Sequence, residues 1–509
     1  MKKFLFLFVF LFSFPAQAVC PVVTEGGEEH QTCDQTFDGD VLFNGSVSIP
    51  GGITDPSVVK QTTADMTLYV RTTGSDSNDG LTTGTALLTP QEAVNRVPKY
   101  IRHAVVIDIG EGDFNGAYLA GFAMAGTNPS FLIKGVLGNP TLATGTTSGT
   151  ADGGGTRDVV DSGQGWTPDE LIGYLALVGT DYRVIYANDA TSFNVVAAYG
   201  SSTSGKAYEI LDQKTNINVA ETVTGYGGLT FRGNLQKIKV NDIKMTGIMI
   251  GVCNMYTPAP AEPERCRFNA NTYGGVFVQA STQEFETKHC AAVGCAKGFY
   301  IVNGSSVRSM NGCLAYNSTG AGFYFQSSLG TFENGDVASI SNGTNGYEIQ
   351  GCDVGNVDFN YVVFSGNTKN GISIGQVPNV QLDGGGVIDG NGEYGIVVGD
   401  TAVTNFAPAA GVVIPSSFTI SNNTLGGIRG MNHAVISLQA TTGTNAGPYG
   451  LVLETGANAF ITSATAITGA TGDATIDGAT TTLTWATDFA TDGDTNANVT
   501  YGTRIERKD

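Results

Sequence analysis

Six times between residues 275 and 398 the chain repeats one short phrase: Gly275-Val-Phe-Val, Gly298-Phe-Tyr-Ile, Gly322-Phe-Tyr-Phe, Gly346-Tyr-Glu-Ile, Gly371-Ile-Ser-Ile and Gly395-Ile-Val-Val. The glycines stand 23, 24, 24, 25 and 24 residues apart. Each phrase reads as a turn glycine followed by a short β-prone run whose first and third residues are apolar. Helical repeats would show a 3.6-residue period across the unit, and none is visible. A second column keeps the same register, eight or nine residues before each glycine: Cys266, Cys290, Cys313, Val337, Val362 and Val387. Small apolar residues recurring at one position imply an inward stack between strands about 4.8 Å apart. A period of this length, stacked side chains and Asn-Gly turns define an all-β solenoid, the right-handed parallel β-helix, over about residues 213–440.

The region before the repeats fits that fold. Leu68-Tyr-Val-Arg-Thr-Thr-Gly-Ser-Asp-Ser-Asn-Asp-Gly80 and Thr89-Pro-Gln-Glu-Ala-Val-Asn-Arg-Val97 resemble the opening of secreted right-handed parallel β-helix proteins of the pectate-lyase-like superfamily. Thr89 as N-cap, Pro90 at the first helical position and Glu92 at the third predict a capping box. The helix would lid the N-terminal end of the solenoid, with Ala104–Ile109 as its first rung, in a segment spanning 67–142. Residues 143–212 interrupt the pattern and read as an inserted β subdomain around Trp166-Thr-Pro-Asp-Glu-Leu-Ile-Gly173. The segments at 19–66 and 441–509 look like parts of phage tail-spike and tail-fibre proteins, a resemblance that implies a homotrimer. The resemblance bears on fold, and it is nearly silent on activity.

Met1-Lys2-Lys3, the apolar run Phe4–Phe14 and Pro15-Ala16-Gln17-Ala18 read as a secretory signal peptide over 1–18, placing the mature chain outside the cytoplasm or at the cell surface. A formal charge of −20 argues against nucleic acid and anionic membrane as partners. Eight cysteines in an exported chain permit disulfides. Cys20 could bridge to Cys33. Cys266 could bridge to Cys253 or pair along its own stack with Cys290, and the sequence leaves this open.

Two outward columns carry the chemistry. The middle residue of each phrase gives Phe277, Tyr300, Tyr324, Glu348, Ser373 and Val397. In a strand whose first and third residues face in, the second faces out. Aromatic rings there suit stacking on sugars, so Phe277, Tyr300, Tyr324 and Glu348 are candidate substrate-binding residues. The other column is acidic: Glu286, Ser309, Glu333, Asp358 and Asp383, at steps of 23, 24, 25 and 25. Carboxylates about 5 Å apart repel, so the column must be solvated, hold a proton or bind a cation such as Ca²⁺. Paired carboxylates with separated pKa values perform glycoside hydrolysis, which makes Glu333, Asp358 and Asp383 candidate catalytic residues.

The residue patterns of polygalacturonases and pectate lyases are missing, as are zinc spacings and phosphate loops. Beyond His30 and His103, His289 and His433 are the only plausible catalytic histidines, and His289, one position before the Cys column, reads as a surface residue rather than a base. Two functions follow: a polysaccharide hydrolase or lyase, or a non-catalytic carbohydrate-binding adhesin of tail-spike type. The first needs the acidic and aromatic columns in one groove.

Overall fold

The computed structural model describes residues 60–399, except 127 and 376–378, and most of 411–476. It also describes the strands at 22–25, 28–31, 482–485 and 504–507. The signal segment 1–18, Cys20, Cys33 and His433 lie outside the described residues. Residues 1–58 form a unit of their own, in which Val22–Glu25 pairs antiparallel with Glu28–Gln31.

The second unit, from residue 59 on, is a parallel β-solenoid of about 24-residue rungs. Each rung contributes three strands to three faces. One rung runs through Glu262–Glu264 on face one, Arg267–Asn269 on face two and Gly274–Gln279 on face three. The next repeats this with Phe285–Lys288, Ala291–Val293 and Phe299–Val302, each paired in parallel with its predecessor. Face three is a separate sheet of 12 strands. Single residues in the left-handed backbone region turn the corners. Arg265 and His289 do so between faces one and two, Ala270 and Asn317 between two and three, and Ala280 and Asn303 between three and one. Asparagine tolerates this region better than most residues, which accounts for part of the Asn content of the turns.

The repeat glycines have a different cause from the one read in sequence. None of the six has a positive φ. At Gly298 an added Cβ would lie 2.4 Å from the Gly322 carbonyl oxygen, and at Gly371 one would lie 2.7 Å from that of Gly395. Each glycine thus lets its strand start against the glycine one rung on. The residues after them fill the core as expected: Phe299 and Phe323 stack at 4.9 Å with planes 5° apart, and Tyr347 continues the column. Each such fully buried aromatic contributes about 1.5–3 kcal/mol.

The cysteine column is buried and in register through Val337 and Val362, but its last member is Gly386, not Val387. Val387 pairs with Val363, one place out of the column. Gly386 stands where a Cβ would strike the Val362 backbone. Cys253, Cys266, Cys290, Cys295, Cys313 and Cys352 are free thiols, so no bridge pins the proline-rich loop. The helix α1 (Pro90–Arg96) has Thr89 as N-cap, yet only half of the expected box forms. The Thr89 amide donates to Asp76 while Glu92 pairs with Arg96 at 2.7 Å. Ala104–Ile109 is not the first strand, because Met66–Val70 precedes it in the stack.

An asparagine ladder also runs through the core. Asn342, Asn367, Asn391, Asn423 and Asn445 are buried, and each Nδ2 before the last donates to the next Oδ1 at 2.9 Å. The strands continue past residue 440 on all three faces, through Thr442–Thr444, Tyr449–Leu453 and Asn458–Ile461. The inserted strands, Ser148–Thr150 to Ala207–Gln213, form an antiparallel sheet that folds back over face two.

Candidate functional site

The aromatic column occupies one line on the outer side of face three. Cys253, Phe277, Tyr300, Tyr324, Glu348 and Ser373 are consecutive partners in the parallel register. Their neighbours Val276, Val278, Phe299 and Ile301 are fully buried, so the alternation read from the sequence holds. Phe277 packs at 5.4 Å from Tyr300, and Tyr300 at 5.2 Å from Tyr324, with tilted or edge-on rings. Cys253, Ile250 and Val302 complete this outer apolar cluster, which leaves Phe277 7% exposed and both tyrosines half-buried.

Two members were not legible as part of the repeat. Tyr273, 37% exposed, lies 5.7 Å from Phe277 and 5.5 Å from Tyr300. The Lys297 ammonium sits 3.8 Å above the Tyr300 ring and 4.7 Å from that of Tyr324. Both come from the turn that enters face three, at positions without a recurring residue type. Burial lowers the Lys297 pKa against the opposing attraction of Glu348, and burial together with the Tyr273 phenol raises that of Tyr300. Glu348 accepts from Asn345 Nδ2 at 2.9 Å. The result is a platform of four rings carrying one ammonium and one carboxylate.

The acidic column is also in register. Glu286 pairs with Ser309, Ser309 with Glu333, Glu333 with Asp358 and Asp358 with Asp383. The side chains of Glu333, Asp358 and Asp383 lie outside the described residues. At its described end the repulsion is relieved by the chain's own cations. Lys237 bridges Glu262 at 2.7 Å and Glu286 at 3.1 Å, and Arg308 reaches Glu286 at 3.3 Å. Burial raises the Glu286 pKa, but Lys237 and Arg308 outweigh it and hold the carboxyl below its usual range. Among the described residues no cluster of His, Cys, Asp and Glu has the arrangement of a metal site.

The column stands on face one, on a different sheet from the aromatic platform. The corner residues Ala280, Asn303 and Ser327 lie between the two columns in each rung. The fold therefore brings together the aromatic residues and, separately, the acidic ones. His289 is a corner residue, half-buried, with no hydrogen-bond partner at Nδ1. Burial, reinforced by Arg183 and Arg265, lowers its pKa to about 4.

The fold and platform define a parallel β-solenoid with an aromatic patch on one lateral face. No protein-family model matches the chain, and no curated protein matches it. Among solved structures it is similar to the A-module of a mannuronan C-5 epimerase from Azotobacter vinelandii. That match has 14% identity and a TM-score of 0.40, over 58% of this chain and 91% of that one. The tailspike of Acinetobacter baumannii bacteriophage AP22, solved with a capsular saccharide, matches at 9% identity and a TM-score of 0.20, over 79% and 74% of the two chains. A Pseudomonas phage phi297 tailspike matches at 10% and 0.20, over 78% and 72%. At these levels the likenesses assign no activity. No helix among the described residues is long and apolar enough to cross a membrane.

Proposed function

We propose that the protein is a polysaccharide-binding solenoid that holds its glycan on the outer side of face three. The observation that carries this reading is the contiguous platform of Tyr273, Phe277, Tyr300 and Tyr324, with Lys297 over the rings. Rings with an apolar body and a polar tip suit the alternating CH and OH surface of a sugar. Lys297 covers one side of the Tyr300 ring, so the sugar rests against Tyr273 and the tyrosine edges and takes hydrogen bonds from the ammonium. Tyr273 is exposed and Tyr300 and Tyr324 are half-buried, so the ring surface left open above the buried part of the cluster is available to a partner.

The test is affinity electrophoresis against a panel of neutral and acidic polysaccharides. Tyr273 is the most exposed ring, so Tyr273→Ala leaves the fold intact. It should weaken retardation by the cognate glycan by about 1 kcal/mol, on the scale of aromatic contacts. Retardation unchanged in Tyr273→Ala and in Lys297→Met would remove the platform from the function.

A second reading is favoured by one observation, the pairing of Glu333, Asp358 and Asp383 on three successive rungs. Two such carboxyls could act as acid and base in glycan cleavage, or together bind Ca²⁺. Asp358→Asn removes the central charge with little change of shape. Under this reading it abolishes cleavage while binding persists, or reduces the Ca²⁺-dependent gain in melting temperature. If neither changes, the column is a solvated surface.

A further inference from the structure

The inserted subdomain leans on face two through an apolar contact that brings Ile172, Leu175 and Val184 against Ala291, Leu314 and Ala338. Beyond its edge the two surfaces part and leave a cleft of about 200 Å³. Five polar side chains line it: Asp169 and Tyr186 from the subdomain, and Tyr316, Ser341 and Ser365 from three successive rungs of the solenoid. Its apolar wall is Ile172, Ile340 and Val363.

Among the described residues, none of those five side chains makes a hydrogen bond or an ion pair. The neighbouring carboxylates of this subdomain behave otherwise. Asp189 accepts from the amides and hydroxyls of Thr191 and Ser192, and Asp152 from the amide and hydroxyl of Ser162. Asp161 accepts from Tyr208 and Gln164. Asp169 is instead held at a φ of 65° by the turn after Thr167-Pro168, with its carboxylate lining the cleft. Burial pushes the Tyr186 phenol up to about 12, and burial with Asp169 nearby raises that of Tyr316, so both are neutral donors at ordinary pH.

A small concavity with apolar walls and a few convergent polar groups open to a guest is the composition of a small-ligand site. Its size limits the guest to one ring. The carboxylate accepts from hydroxyls and repels an acidic sugar, while the tyrosines offer both apolar surface and donors. We propose that this cleft binds a single neutral pyranose, the terminal or branch unit of a glycan. The site stands independently of the face-three platform.

The experiment is saturation-transfer NMR on the full chain with the methyl glycosides of glucose, galactose, mannose, N-acetylglucosamine and glucuronic acid. The expected result is saturation of at least one neutral glycoside with millimolar affinity, and none of the glucuronide. Asp169→Ala and Tyr316→Phe should each weaken that binding by about tenfold or more, at unchanged melting temperature. Tyr273→Ala should leave it intact, which separates this site from the platform. Failure of every neutral glycoside to bind would overturn the proposal. So would binding that survives both cleft variants undiminished.

Discussion

At the residue level, the clearest electrostatic statement concerns Glu286. Its folded-state pKa lies below the ordinary carboxylate value because Lys237 and Arg308 outweigh the cost of burial. The unfolded chain therefore binds this proton more readily. The stability gained is complete above the ordinary value of 4.5 and is lost as pH falls through the folded-state value. Lys237→Met should remove about 1 kcal/mol near neutral pH, as expected for a half-exposed pair that also separates two carboxylates. The difference from the wild type should shrink as pH falls below 4.5, and urea titrations at several pH values measure it. A pH-independent difference would mean that the lysine acts through packing alone. The acidic column was legible because its spacing follows the rungs. Lys237 was not, since it lies 49 residues from Glu286 and belongs to no repeat. The asparagine ladder could have been read from the recurrence of Asn342, Asn367, Asn391, Asn423 and Asn445, but of these Asn342 was read only as half of an Asn-Gly turn and the others were not aligned with it.

Among the elements, the inserted subdomain shows what periodicity cannot reach. Its existence was legible from the interrupted repeat between 143 and 212, whereas its resting place was not. Arg157 reaches Asp336 at 3.1 Å and lies 4.0 Å over the Tyr361 ring, contacts between segments with no shared pattern. Arg267 similarly covers Tyr174 at 4.2 Å. The approach is tight at Gly173, which has a φ of 83° and where a Cβ would lie 2.8 Å from Val293 Cγ2. Gly173→Val therefore combines backbone strain with a clash, a loss of about 2–4 kcal/mol for the docked state. Limited proteolysis should cut the subdomain faster in this variant, while the circular dichroism of the solenoid stays near that of the wild type. Equal cleavage rates would show that the contact with face two does not hold the subdomain. The half-formed capping box at α1 has a related origin, because Asp76, 13 residues upstream, takes the Thr89 amide that the sequence assigned to Glu92.

For the whole molecule, rung length, inward columns and outward columns followed from the repeat because each rung meets mainly its neighbours. A one-dimensional pattern fixes register along the stack, but it does not say which columns share a face. That is why the aromatic and acidic lines, nine or ten residues apart along each rung of the repeat, could be imagined in one groove yet lie on separate sheets. The lateral platform on face three is the surface we propose for the glycan. Hydroxyl-radical footprinting with the cognate polysaccharide tests this most directly. Oxidation of Tyr273, Tyr300 and Tyr324 should fall when the glycan is added, while the exposed Tyr226 and Tyr256 keep their rates. Unchanged oxidation at all three platform tyrosines under saturating glycan would contradict the account.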